Sequence, residues 1–176
     1  SARAGCPPFW PIVSPTVFDD MSEHEAMWRP EAGWQILWLG RIAYLKALLL
    51  QRRLRNDLLA RPGTPGWLLL CEHPSVITLG RRSQAADVRM PVGDLRREGV
   101  GIYRVERGGR ATWHGPGQLV GYPVAYTRRG ATGAGAFVSA LAEALRRLLE
   151  GMGVRAAWRD DAPGLWTPRG KIAALG

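Results

Sequence analysis

The stretch RGGRATWHGPGQLVGYPV, residues 107–124, holds the most distinctive pattern in this chain. Two adjacent glycines precede a histidine and a Gly-Pro-Gly turn, after which apolar residues recur. A Gly-Gly pair lets the backbone adopt positive φ and pass close to another group, which ordinary core packing does not require. The stretch therefore predicts a strand, a loop that lies against a bound molecule, and a second strand.

Outward from this stretch, short apolar runs separated by Gly and Pro predict further strands. Pro123, within the run 118–126, places that strand at a sheet edge or a bulge. The predicted strands cover residues 34–39, 67–71, 75–79, 102–106, 118–126, 154–158 and 165–167, and another begins at residue 171.

Apolar residues at helical spacing predict two long helices, over residues 41–60 and 136–150, and a short one near 92–98. The apolar stripe predicted for the first helix is Ile42, Leu45, Leu49, Leu54 and Leu58. Strands and helices mix without strict β-α-β alternation, so the predicted fold class is α+β.

The composition suits one folded domain. The 176 residues are 46% hydrophobic and 22% charged, which is typical of a globular chain. No apolar run approaches the ~20 residues that cross a bilayer, so we expect no membrane association. Residues 1–20 are rich in Pro and aromatic residues but lack periodicity and the pattern of a secretory signal. We expect residues 1–20 to be a disordered or extraneous N-terminal segment, and residues 21–176 to be the domain.

The chain is basic, with 24 Lys and Arg against 15 Asp and Glu and a formal net charge of +9. A basic surface favours encounters with acidic partners, such as acidic carrier proteins or nucleic acid. Arginine spread over the surface without a partner is the alternative. The sequence has no zinc-finger motif, no RNP-like motif and no basic tail. We therefore expect no nucleic-acid binding.

Cysteine and histidine are scarce. Cys6 and Cys71 are too few for a disulfide scaffold, which favours a reducing, cytoplasmic compartment. Cys71 lies in an apolar run and is interpreted as a buried thiol. His24, His73 and His114 have no metal-ligand spacing, so we expect no metal. His73, which precedes a proline, is interpreted as a structural residue at a strand end.

Three segments of the chain resemble the octanoyl (lipoyl) transferase family. They are CEHPSVITLGR at residues 71–81, RGGRATWHGPGQL at residues 107–119 and GKIAALG at residues 170–176. This family shares its fold with the lipoate and biotin protein ligases. The resemblance, which extends over residues 34–176, implies a mixed sheet flanked by helices.

The resemblance implies transfer of an octanoyl group from octanoyl-acyl carrier protein to a lysine of a lipoyl domain, the first step of protein lipoylation. The implied acceptors are the lipoyl domains of 2-oxoacid dehydrogenases and the glycine cleavage H protein. The acyl group would pass through a cysteine thioester on the enzyme. Exchange between thioesters is roughly isoenergetic and amide formation is downhill, so neither ATP nor a cofactor is expected.

The resemblance also implies residue roles. Lys171 is the catalytic candidate, because an ammonium beside a cysteine favours the thiolate. The N–H groups of Gly108 and Gly109 would line the acyl pocket or stabilise an oxyanion. The residues expected to bind substrate are Arg107, Gly108, Gly109, Arg110, Ala111, Thr112, Trp113, His114, Ala174, Leu175 and Gly176. The alternatives are a structural histidine that caps a turn at position 114 and a solvated lysine at position 171.

The nucleophilic cysteine is not among these residues. In the family it lies downstream of the K-I-A segment in a Pro-Cys-Gly context, and neither Cys6 nor Cys71 aligns with it. We therefore expect the chain to be cut short, with the C-terminal part of the domain missing. Cys71 as the nucleophile is the less favoured alternative.

Two other functions stay open. An ATP-dependent lipoate or biotin ligase would carry a Gly-rich loop of the R-R-x-S-G-G-G type, whereas residues 107–114 read RGGRATWH. A non-catalytic fragment that binds acyl chains or acidic carrier domains would account for the missing cysteine. Dependence on ATP identifies the first of these functions, and binding without turnover identifies the second.

Overall fold

The computed structural model describes residues 26–28, 33–126 and 134–175. The expectations for residues 1–20, Cys6, His24 and Gly176 concern positions outside these ranges. The elements within them are β1 (Ala26–Trp28), β2 (Trp34–Arg41), α1 (Tyr44–Ala60), β3 (Gly66–Glu72), β4 (Val76–Leu79), a 3₁₀ turn (Ala85–Asp87), α2 (Val92–Arg97), β5 (Gly101–Arg104), β6 (Ala111–His114), β7 (Val120–Val124), α3 (Ala134–Gly151), β8 (Ala157–Trp158), β9 (Leu165–Thr167) and β10 (Gly170–Ala173).

The described residues divide into two compact units. The first is drawn from Ser1–Ile77, Pro91–Ile102 and Trp113–Tyr126, and the second from Thr78–Met90, Tyr103–Thr112 and Thr127–Gly176. The strands form sheets in the orders β1-β2-β3-β7, β5-β4-β6 and β10-β9-β8. Parallel and antiparallel pairs occur together with separate helices, which confirms the predicted α+β class.

The four-stranded sheet carries the core of the first unit. Strand β2 pairs in parallel with β3, and β7 pairs antiparallel with the other side of β3. A parallel pair needs a crossover connection, which helix α1 supplies. Strand β7 lies at the sheet edge, as Pro123 predicted. The buried core consists of Leu37, Leu39, Leu54, Leu58, Trp67, Leu69, Cys71 and Val120.

Helix α1 confirms the predicted helix but corrects its predicted apolar face. Leu45 and Leu49 are 47% and 56% exposed, whereas Tyr44 and Ala47 are buried. Arg41 still pairs with β3 in the sheet, so the helix begins later than its hydrophobic pattern predicts. A leucine-rich run fits more than one helical face, and packing on the sheet selects the face that is buried.

The glycine-rich stretch departs from its prediction at one place. Residues 111–114, which fall within the loop predicted between two strands, form strand β6. The Thr78 hydroxyl of β4 donates a hydrogen bond to the Thr112 carbonyl over 3.4 Å. The irregular backbone is therefore confined to the loop before β6 and the turn after it.

The second unit contains a meander of three short strands. Strand β9 pairs antiparallel with both β8 and β10. The turn between β9 and β10 is closed by Thr167, whose hydroxyl accepts from the Arg169 N–H (3.1 Å) and donates to the Gly170 carbonyl (3.2 Å). Helix α3 confirms the helix predicted over 136–150, while the strand predicted over 154–158 is limited to β8.

Over residues 26–28, 33–126 and 134–175, we find no helix long and apolar enough to cross a membrane.

Candidate functional site

The loop that carries Gly108 and Gly109 packs against Gly80 in the second unit. A Cβ at Gly80 would lie 2.6 Å from the Gly109 carbonyl oxygen and 2.7 Å from that of Gly108. The N–H of Arg82 donates to the Gly109 oxygen over 3.0 Å, and the N–H of Arg81 donates to the Arg107 oxygen over 3.1 Å. The close approach that the Gly-Gly pair predicted is thus made to another part of the chain, and contact with a bound molecule stays a prediction.

The side chain of Arg107 holds this loop on strand β4. Its guanidinium donates to the Thr78 carbonyl and hydroxyl, each at 2.8 Å from Nη2, and to the Gly108 carbonyl over 2.8 Å. The Thr78 side chain is buried. These contacts give Arg107 a structural role, and its expected role in substrate binding stays a prediction.

Arg110 is exposed and forms an ion pair with Asp87 at the end of the 3₁₀ turn. The Asp87 carboxylate also accepts from the N–H of Gln84 over 2.9 Å. The hydrogen bond from Arg110 is the main cause that lowers the pKa of the Asp87 carboxyl below its ordinary value. The positive charge of Arg110 is therefore already paired with the Asp87 carboxylate on the protein surface.

In the first unit, residues 115–118 form a tight turn that follows β6. The Gln118 N–H donates to the Gly115 carbonyl over 3.1 Å. Pro116 and Gly117 occupy the central positions, and Gly117 has φ +83°. Proline followed by a residue of positive φ is the signature of a type II turn. The Gly117 N–H donates to the Glu72 carboxylate over 3.0 Å, which ties the turn to the end of β3.

His114 is oriented by this turn. Its Nδ1 lies 2.7 Å from Oε1 of Gln118. Since an amide oxygen can only accept, Nδ1 carries the proton, and in the neutral ring Nε2 is then the nitrogen with the lone pair. This geometry fits the alternative interpretation of His114 as a structural histidine that caps a turn. The same geometry is compatible with a basic Nε2.

Beside His114, the indole of Trp113 is 51% exposed. A Cβ at Gly115 would lie 2.1 Å from Cζ2 of this indole. Glycine at position 115 is thus what allows the ring to lie over the start of the turn. Trp113 presents a broad apolar surface next to the histidine.

The sequence did not predict the partners of His73. This ring is fully buried, with Nδ1 2.7 Å from the Ile42 carbonyl and Nε2 2.9 Å from the Tyr122 hydroxyl. The carbonyl requires the proton on Nδ1, so Nε2 accepts from Tyr122. The ring centroid lies 6.3 Å from that of His114, in an edge-to-face arrangement. We call Cys71, His73, His114 and Tyr122 the histidine cluster.

Cys71 confirms its interpretation as a buried thiol. Its Sγ lies 3.6 Å from Nε2 of His73, a spacing that resembles a nucleophile and its base. However, the residue is fully buried, and burial raises the pKa of the thiol to about 12. Since the thiolate is the nucleophilic form, Cys71 is poorly suited to attack an acyl group near neutral pH.

Lys171 lies on strand β10 in the second unit and is exposed. Its Nζ donates to the Pro163 carbonyl over 2.9 Å and lies 4.9 Å from the centre of the Trp166 ring. The expected wall residues Ala174 and Leu175 follow on the same strand end, exposed and half-buried respectively. Sequence reasoning did not identify Pro163 or Trp166.

In the described part of the chain, no group of three or more His, Cys, Asp or Glu side chains could hold a metal ion. Of the residues expected in the site, Trp113 and His114 belong to the first unit. The second unit contains Arg107, Gly108, Gly109, Arg110, Ala111, Thr112, Lys171, Ala174 and Leu175.

The model of the family "Lipoyl protein ligase A/B catalytic domain" matches residues 43–176 of this chain. The chain belongs to this family. The match includes the glycine-rich stretch, the histidine cluster and Lys171, whereas β1 and β2 precede it.

Within the lipoyl protein ligase A/B family, curated octanoyltransferases are similar to this chain. That of Solibacter usitatus is 41% identical over 139 residues, which are 78% of this chain and 62% of the relative. That of Acidobacterium capsulatum is 43% identical over 155 residues, with 80% and 62% covered. The chain thus spans about three fifths of the relatives' length, and its resemblance to the octanoyltransferase family is confirmed.

Solved structures support the fold. A T. acidophilum protein assigned to the lipoate protein ligases superposes with a TM-score of 0.52 at 18% identity, covering 71% of this chain and 50% of that one. The same protein with bound lipoic acid gives a TM-score of 0.51 at 19% identity, with 69% and 48% covered. The expected biotin/lipoate ligase-like fold is therefore confirmed.

Proposed function

We propose that the protein is an octanoyltransferase that moves an octanoyl group from octanoyl-acyl carrier protein to a lysine of a lipoyl domain. The observation that carries the proposal is the identity of about two fifths with curated octanoyltransferases over most of this chain. The acceptors in this proposal are the lipoyl domains of 2-oxoacid dehydrogenases and the glycine cleavage H protein, and the reaction takes place in the cytoplasm.

The proposed reaction has two acyl transfers. A cysteine thiolate attacks the carrier thioester, forming one C–S bond as the other breaks, and the carrier leaves as a thiolate that takes up a proton. The lysine amine of the lipoyl domain then attacks the enzyme thioester, a C–N bond forms, and the amine loses its proton as the thiolate departs. Since no anhydride is made, the reaction uses neither ATP nor a cofactor. The burial of Cys71 argues that another cysteine carries the acyl group.

In the first unit, His114 is proposed to act on protons at the reacting end of the acyl group. Its Nδ1 is held by Gln118, so Nε2 is the basic nitrogen of the neutral ring. Trp113 supplies a half-exposed aromatic surface suited to contact with the acyl chain. Both residues lie at the end of β6, directly before the turn of residues 115–118.

In the second unit, Lys171 is proposed as the catalytic ammonium that favours the thiolate form of the nucleophile. The N–H groups of Gly108 and Gly109 are proposed to stabilise the oxyanion. The other proposed substrate-binding residues are Arg107, Arg110, Ala111, Thr112, Ala174, Leu175 and Gly176.

The net charge of +9 supports acidic carrier domains as partners. Opposite net charges raise the rate of encounter between a protein and its substrate carrier, and the gain falls as salt screens it.

The test is an intact mass of the protein at its native length after incubation with octanoyl-acyl carrier protein, with and without ATP. We expect one octanoyl adduct that hydroxylamine removes and that moves to an added lipoyl domain without ATP. The matched control is Cys71→Ala, which should still form the adduct. An absolute requirement for ATP would contradict the proposal, and loss of the adduct in a folded Cys71→Ala variant would contradict the assignment of the acyl group to another cysteine.

A further inference from the structure

A short segment before strand β9 lies against the side chain of Lys171. The Pro163 carbonyl accepts a hydrogen bond from Nζ over 2.9 Å. In the sheet, Lys171 is the register partner of Trp166, and Nζ lies 4.9 Å from the indole centre. A carbonyl dipole and an aromatic face both attract a cation, so both contacts favour one position of the ammonium.

The aliphatic part of Lys171 rests on Gly164. This residue has φ +141°, a conformation that L side chains rarely adopt. A Cβ at this position would lie 3.2 Å from both Cδ and Cε of Lys171 and 2.5 Å from the Ala173 carbonyl oxygen. Glycine at position 164 is thus what allows the lysine stem to cross the backbone here.

The indole itself is held in place. Nε1 of Trp166 donates to the Ala162 carbonyl over 2.7 Å. The guanidinium of Arg159 also lies over this ring, at 4.8 Å, and pairs with Asp161. A ring that is fixed at its edge presents a fixed face, so the cation above it gains a defined site rather than a mobile one.

We propose that Pro163, Gly164 and Trp166 form a lysine cradle that positions the Lys171 ammonium for acyl transfer. The inference rests on the proposed function of Lys171, and the three residues act through that lysine as positioning residues. An ammonium has three N–H bonds, and Pro163 accepts one, so the same group can still donate to a thiolate or a thioester oxygen. The cradle orders a side chain that would otherwise sample many rotamers.

Lys46 provides a reference for Lys171 in a test by NMR, because each lysine can be replaced separately by arginine. Protons above an indole face are shifted upfield by the ring current. We expect the ε-CH₂ signal of Lys171 to lie clearly upfield of that of Lys46, which lies on the exposed face of α1. Lys46→Arg and Lys171→Arg variants, each of which loses one signal, assign the two signals. Coincident signals in the unmodified protein would overturn the cradle.

Variants at two tryptophans separate positioning from folding. Trp166→Leu should return the Lys171 signal to that of Lys46 and slow octanoyl-adduct formation about tenfold. Trp166→Phe, which keeps an aromatic face, should retain part of the shift and part of the rate. The matched control is Trp158→Leu on strand β8, whose indole pairs with Asp160 and should leave both readings unchanged.

Two results distinguish failure of the inference from failure of the proposed function. If Trp166→Leu abolishes the shift but leaves the rate of adduct formation unchanged, the cradle has no part in the reaction and the inference is overturned. If the unmodified protein shows the shift but forms no adduct at its native length, the proposed function fails while the ammonium is still held as described. Should Trp166→Leu not fold, Trp166→Phe takes its place, with a smaller shift and a slower rate expected and an unchanged rate of adduct formation overturning the inference.

Discussion

In the first unit His73 is fully buried between the Ile42 carbonyl and the Tyr122 hydroxyl, whereas in the second unit Lys171 is exposed and lies on a carbonyl and an indole. A buried polar group must satisfy each of its hydrogen-bonding atoms, because water cannot replace a missing partner. An exposed cation keeps its hydration and needs only weak contacts to favour one place. The histidine cluster therefore contributes to stability as well as geometry, while the lysine cradle contributes mainly to geometry.

The largest expected effect is the loss of stability when the buried His73 is replaced. His73→Ala removes both hydrogen bonds and leaves the Ile42 carbonyl and Tyr122 hydroxyl without the ring. We expect the free energy of unfolding to fall by about 3 kcal/mol, from unsatisfied polar groups and the cavity. Urea denaturation measures this change.

The matched control for His73 is Tyr122→Phe, which removes one hydrogen bond and keeps the packing of the ring. We expect a loss of about 1 kcal/mol for this variant. Equal losses for the two variants would show that neither the Ile42 contact nor the packing of the imidazole ring contributes to stability.

A second prediction concerns Cys71 and pH. Burial raises the pKa of this thiol from 9.0 to about 12 in the folded protein. Between these two values the unfolded chain releases a proton that the folded chain keeps, so stability falls as pH rises. The loss is at most about 1.4 kcal/mol per pH unit from this group.

The measurement for Cys71 is the difference in unfolding free energy between the unmodified protein and Cys71→Ala, at pH 7, 9.5 and 10.5. Relative to its value at pH 7, the difference should move in favour of the alanine variant at pH 9.5 and further at pH 10.5. A difference that does not change up to pH 10.5 would show that the thiol is hydrated rather than buried.

The smallest expected effect is that of a substitution beside the exposed Lys171. Arg159→Ala removes a cation above Trp166 and an exposed ion pair with Asp161. Exposed ion pairs contribute little because solvent screens them. We expect the urea midpoint to stay within experimental error and the Lys171 ε-CH₂ signal to keep its upfield position. A return of that signal toward Lys46 would show that Arg159 helps to fix the indole.

Much of the fold was predictable because its signals are local. Strand β9 was predicted with its observed bounds, and helices α1 and α3 within a few residues of theirs. These segments have strong hydrophobic periodicity or flanking Gly and Pro, which act over a few neighbouring positions. Strand β6 was missed because its residues 111–114 lie between two glycine-rich bends and carry no alternation of their own.

For the candidate site, the sequence alone identified the glycine-rich stretch, His114 and Lys171 as positions of interest, and the family to which they belong. Only the tertiary structure decided what these residues touch. His73 meets Ile42 and Tyr122, which are 31 and 49 positions away along the chain. Arg107 bonds to Thr78, which is 29 positions away. Residue types and spacing specify local conformation, but such distant partners, and the face that a leucine-rich helix buries, are chosen by packing of the whole chain.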